Sequence, residues 1–127
     1  LPLHFGTSGV ASAVAMLELL GHDDEALQLL GTAAAAIETA TGVIIELRQD
    51  AASSPLREGR SGTLTRVGGV LSGPVPLVCR ALGQRRPAFR RAASLSALAG
   101  SLITRLAWIA AGRVSADEPG VPLRLLR

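Results

Sequence analysis

The sequence predicts an all-α protein, a polytopic membrane bundle of four helices, and three observations lead there. Seventeen of the 23 charged residues fall in 45 residues of linker and tail, leaving six in the other 82. Those 82 residues form four apolar blocks, 3–20, 26–47, 62–82 and 92–112, of 18, 22, 21 and 21 residues. At a rise of about 1.5 Å per residue each block spans roughly 27–33 Å as a helix, the thickness of a bilayer's hydrocarbon core. The blocks are rich in Ala, Gly, Ser and Thr, which let helix backbones approach closely where no water drives them together.

Each block reads as a helix with its own boundary. Block 3–20 places Ser8 and Ser12 one turn apart, a small-residue face for a neighbouring helix. An acidic turn follows at 21–25, where Asp23 or Asp24 is suited to cap the next helix. In block 26–47, Gly31, Ala35, Glu38 and Gly42 recur at steps of four, three and four, so Glu38 shares a narrow face with small residues. That face is expected to look into the bundle. Pro55 and Gly59 break the polar loop 48–61. Block 62–82 carries Pro74 and Pro76 in mid-course, which should kink it. A loop at 83–91 with four Arg leads to block 92–112, whose Trp108 sits at a depth suited to an interfacial anchor. Residues 113–127 read as a surface tail.

Composition removes several function classes. The chain is 48% hydrophobic and 18% charged, against about 25% charged in ordinary soluble domains. A soluble Ala-rich bundle would spread charge around every helix, and this chain does not. Residues 1–47 carry six acids and no Arg, whereas residues 48–127 carry all 13 Arg and four acids. The Arg lie at block ends, and three aromatics with no Tyr offer no stacking surface, so nucleic acid is not expected as a partner. Cys79 is alone, and His4 and His22 bracket one block about 27 Å apart, so no metal or haem site is expected. The chain opens without Met on an apolar block and reads as a fragment of a longer one. With the 48–61 loop on side A, that face collects seven Arg and side B five, which favours side A as cytoplasmic.

The six charges inside the blocks pair by depth. Glu38 and Arg105 differ by about 2 Å along the membrane normal, and are expected to form a buried pair at mid-membrane. They are candidates for a proton or quinone path, or for an ion pair locking two helices. Glu18 with Arg80 toward side B, and Glu46 with Arg66 toward side A, are the further candidates for buried ion pairs. A charge at the bilayer centre costs roughly 2.5–3.5 kcal/mol, so each should be paired, solvated or neutralised. His4, at the side A boundary, is placed to hydrogen-bond a lipid headgroup or a quinone carbonyl.

Residues 100–119, with Gly100, a single Arg105 and a closing Ala111-Gly112, resemble the last membrane helix of the NrfD/polysulfide reductase membrane-subunit family. Residues 68–77, 4–21 and 46–48 are similar to its penultimate helix, an earlier helix and a helix end. The resemblance implies the C-terminal half of an eight-helix membrane subunit, with the N-terminal bundle as a partner within the same protein. It implies a non-catalytic anchor in the bacterial cytoplasmic (inner) membrane, part of a respiratory oxidoreductase complex. Iron–sulfur clusters and molybdopterin would reside in partner subunits, with quinone as the diffusible carrier and no cofactor in this chain. Arg105 occupies the family's last-helix Arg position. Arg85, Arg86, Arg90 and Arg91 on side B are candidates for contact with the iron–sulfur subunit. A rival from another class is a small four-helix proton-coupled transporter using Glu38, against which an Arg105 partner would weigh.

Overall fold

The computed structural model describes residues 2–47, 59–83 and 86–117. They form five helices: α1 (Pro2–Leu19), α2 (Glu25–Leu47), α3 (Gly59–Ser72), α4 (Pro74–Leu82) and α5 (Pro87–Asp117). No strand occurs among the described residues. α3 and α4 are the two halves of the third block, so the architecture is a four-helix bundle with one broken member.

The chain's own punctuation sets the turns. α1 stops because Gly21 adopts φ 98°, a left-handed conformation that glycine reaches without a Cβ penalty. Gly21 N donates to the Glu18 carbonyl and His22 N to the Leu17 carbonyl, both at 3.1 Å. Together these are the paired bonds of a Schellman cap. The break between α3 and α4 falls at Gly73. Pro74 and Pro76 have no N–H to offer the preceding turn, and Ser96 of α5 donates to the Leu71 carbonyl there at 2.6 Å. α5 starts at Pro87, four residues into the expected 83–91 loop, and continues to Asp117. Pro is pre-shaped for that first helical position, so Arg90 and Arg91 lie on a helix, as do the first residues of the expected tail.

Around the bundle the neighbours run α1, α2, α3–α4, α5 and back to α1. α2 and α5 therefore occupy opposite corners. Contacts between matching ends show that successive members alternate in direction: Glu18 with Arg80 at one end, Glu46 with Arg66 at the other.

The distribution of side chains is inverted relative to a protein core in water. Buried positions hold Ala, Ser, Gly and Thr with His4, Glu38 and Arg80; Val14 and Pro76 are the largest fully buried apolar side chains. No Leu or Ile among the described residues is buried. Leu29, Leu47, Leu82 and Leu102 are instead 60–75% exposed. Those residue types are normally among the most buried.

Two helices, α2 and α5 over Pro87–Val114, are long and apolar enough to cross a membrane. α1 has the length but carries more polar groups, and the third member is divided into pieces of 14 and 9 residues.

Candidate functional site

Glu38 lies on the small-residue face of α2 and is 3% exposed. Neither of its carboxyl oxygens has a hydrogen-bond partner among the described residues. The Ser8 and Ser72 hydroxyls stand beside it, within reach of its carboxyl, and each also has a neighbour other than Glu38. Ser8 Oγ is 2.9 Å from Ser101 Oγ, which also accepts from Ser12 Oγ at 3.0 Å. Ser72 Oγ faces the Gly69 carbonyl at 3.5 Å. Rotation of either hydroxyl would supply a donor without moving the backbone.

Glu38 forms part of the lining of a cleft of about 360 Å3 between α2 and the broken helix. Val43, Ile45, Val70 and Pro74 make its apolar walls, and His4, Thr104 and Trp108 complete it from α1 and α5. The break at Gly73 shapes this region: a Cβ there would stand 2.8 Å from Thr39 Oγ1, so glycine lets the broken helix close onto α2 one residue from Glu38. Thr104 Oγ1 is a further buried polar atom with no partner among the described residues. His4 Nδ1 lies 3.0 Å from Thr41 Oγ1, and Thr41 itself donates to the Ile37 and Glu38 carbonyls. With the Thr41 proton on a helix carbonyl, a neutral imidazole would donate Nδ1–H to Thr41 and keep Nε2 as its acceptor. Trp108 meets Phe5 edge to face, with ring centroids 4.9 Å apart; it serves as a wall of the cleft, which its position near the block's exit did not suggest.

The expected Glu38–Arg105 pair does not form. Arg105 is exposed, on the outer face of α5 beside Leu102, Leu106 and Ile109. The buried stripe of α5 runs through Ala93, Ala97, Ser101, Thr104, Ala107 and Ala111, and Arg105 falls about 100° away from Thr104 around the helix. α2 and α5 also sit at opposite corners of the bundle. Equal depth placed the two charges at one level but said nothing of direction.

Glu18 and Arg80 do meet, and all four members converge on them. Arg80 Nη1 and Nη2 donate to Glu18 Oε1 and Oε2 at 2.7 and 2.8 Å, with side-chain exposures of 6% and 8%. Ser94 of α5 donates to Oε2 at 2.6 Å. Gly31 of α2 makes room, since a Cβ there would lie 2.6 Å from Arg80 Nη2. This is the bidentate geometry in which a carboxylate best holds a guanidinium away from water. Glu46 and Arg66 also pair, at 2.6 Å, but with 47% and 59% of their side chains exposed; the expectation of a buried pair fails there because both stand on outward faces at the cleft rim.

The arginine cluster of side B is divided. Arg85 lies outside the described residues, Arg86 and Arg91 are exposed, and Arg90 is tied to Asp23 across the α1–α2 turn. Asp23 also accepts from Gln28 Nε2, so its carboxylate ties the turn to α5. Arg90, Arg91, Asp23, Asp24, His22 and Glu18 share a polar cleft of about 200 Å3 at this end. No group of three metal-ligating side chains occurs among the described residues.

Comparison with known protein families, with curated proteins and with solved structures finds no match to this chain. Thr104, Trp108 and the Ser8–Ser12–Ser101 cluster were not singled out from the sequence as site residues. The small-residue stripe on α5, the same signal that oriented Glu38 on α2, would have found Thr104.

Proposed function

We propose that the chain is a membrane-embedded bundle whose working group is Glu38, serving a proton path in the anchor subunit of a respiratory molybdopterin and iron–sulfur complex. The observation that carries this reading is a deeply buried carboxyl with no counter-charge among the described residues, placed where the bundle opens sideways. Within a bilayer such a group is a functional residue by default, because a purely structural charge would be paired. The inverted distribution of side chains supports the bilayer: with lipid outside, large apolar residues face outward and small ones set the helix contacts. The resemblance to the NrfD/polysulfide reductase family supplies the setting, including a preceding bundle and quinone as the carrier with which Glu38 and His4 would exchange protons. Arg105, facing outward, has no part in this path.

The testing experiment is purification of the full-length tagged protein from detergent-solubilised membranes, with iron and molybdenum assayed in the eluate. Both metals are expected to co-purify in fixed ratio to the protein, and Glu38→Gln is expected to slow quinone-linked turnover without lowering complex yield. A metal-free membrane protein would refute the anchor, and recovery in the soluble fraction would refute the bilayer.

One observation favours a second reading, the proton-coupled transporter. A carrier carboxyl has to be free to exchange its occupant, and with Arg105 turned outward Glu38 is free. Elution of the membrane protein alone, with Glu38-dependent proton uptake in vesicles, is the outcome that reading expects.

A further inference from the structure

We propose that the cleft between α2 and the broken helix is a binding site for a lipophilic ammonium ion, held by Glu38. The inference rests on the membrane reading of the Glu38 cleft and goes beyond it in naming the ligand's chemistry.

Charge selects the cation. Among the described residues the charged groups lining the cleft are Glu38, Glu46 and Arg66, and the last two are paired with each other at the rim. The uncompensated charge that an ionised Glu38 presents is therefore negative. Among the described residues neither carboxyl oxygen makes a hydrogen bond of normal geometry, and neither does Thr104 Oγ1 of the same cleft lining. An ammonium group carries two or three N–H donors and no acceptor, which suits two carboxylate oxygens and a hydroxyl oxygen. Its arrival provides the counter-charge that a carboxylate removed from water requires.

The walls select what the ammonium must carry. Val43, Ile45, Val70 and Pro74 present apolar surface, and Trp108 adds an aromatic ring of the type that best attracts a cation. Few precisely placed polar groups on an apolar lining are the pattern of small-molecule sites. Gly42 and Gly69 line the same cleft, and a Cβ at either would meet nothing within 4 Å. Their lack of side chains keeps the space open, whereas Gly31, Gly68, Gly73 and Gly100 all border close contacts.

The test is calorimetric titration of the intact protein, purified from membranes into lipid nanodiscs, with 4-phenylbutylamine and with 4-phenylbutanol as its uncharged isostere. Saturable binding of the amine is expected, with the alcohol at least tenfold weaker. Glu38→Gln should weaken the amine at least tenfold and leave the alcohol unchanged. Gly69→Leu fills the cleft from the facing helix α3 and should abolish saturable binding, and because it replaces glycine by a better helix former it is expected to fold. Equal affinity for amine and alcohol, or full amine affinity in both variants, would overturn the proposal. Hydrogen–deuterium exchange of the Glu38 carboxyl, read by infrared difference spectroscopy in the same nanodiscs, separates the two levels. Exchange without amine binding overturns the ammonium site alone, and absence of both overturns the proton path as well.

Discussion

Replacing Gly100 by Ala should loosen the bundle, while the same replacement at Gly42 should tighten it. A Cβ at Gly100 would lie 2.4 Å from Ser72 N, 2.7 Å from Leu71 C and 2.8 Å from Gly68 O. Ordinary contact begins at 3.4 Å, so the α3–α5 seam must open by about 1 Å. All three atoms are backbone, and none can rotate aside as a side chain would. Overpacking of this kind costs about 1–3 kcal/mol, partly offset by the roughly 0.8–1.0 kcal/mol that Ala gains over Gly in a helix. The expected net loss at Gly100 is about 1 kcal/mol, in a range of roughly 0–2 kcal/mol. At Gly42 no atom lies within 4 Å of the new methyl, so the helix term acts alone and stabilises by about 0.5–1 kcal/mol. The two variants should differ by about 2 kcal/mol, some thirtyfold in the folded-to-unfolded ratio. Unfolding in mixed micelles of rising dodecyl sulfate fraction, followed by far-ultraviolet circular dichroism, reads that difference. Equal midpoints, or a Gly100→Ala midpoint at or above the wild type, would refute the close-contact account.

Three further outcomes follow from the ion pairs and the cleft. Glu18→Gln leaves the Arg80 guanidinium buried without its counter-charge, and the same unfolding assay should show a loss of about 3–5 kcal/mol; the double variant Glu18→Met, Arg80→Leu should recover most of it, and no recovery would mean the site is held by packing alone. Arg105→Leu removes an unpaired charge from a lipid-facing surface and should raise the midpoint, by up to about 3 kcal/mol, whereas a lowered midpoint would restore a buried role for that residue. A double-mutant cycle on Phe5→Leu and Trp108→Leu should give a coupling of about 0.5–1.5 kcal/mol from the edge-to-face contact, and zero coupling would mean that the rings merely adjoin.

Helix positions were legible because length and hydrophobicity are properties of consecutive residues. The four blocks became α1, α2, the α3–α4 pair and α5, with ends shifted by a few residues where Gly59 and Pro87 start helices earlier than the apolar runs do. The kink was legible from Pro74 and Pro76, since a missing N–H is a covalent fact. Its exact seat at Gly73 was not, because it depends on the close approach of Thr39 from α2.

Glu18, Arg80, Glu38 and Arg105 mark the limit. Depth along a helix follows from counting residues at a constant rise, so the sequence alone put Glu18 level with Arg80 and Glu38 level with Arg105. Whether two groups at one level touch depends on which helices are neighbours and which way each is turned, and neither is a property of one helix. Tertiary packing brought Glu18, Arg80 and Ser94 together over the space left at Gly31, and turned Arg105 outward from the opposite corner to α2. The same packing left Glu38 buried, and without a counter-charge among the described residues, beside a cleft that five helices jointly line. A sequence carries its helices in local order, but a site made by all of them exists only once their rotations are set.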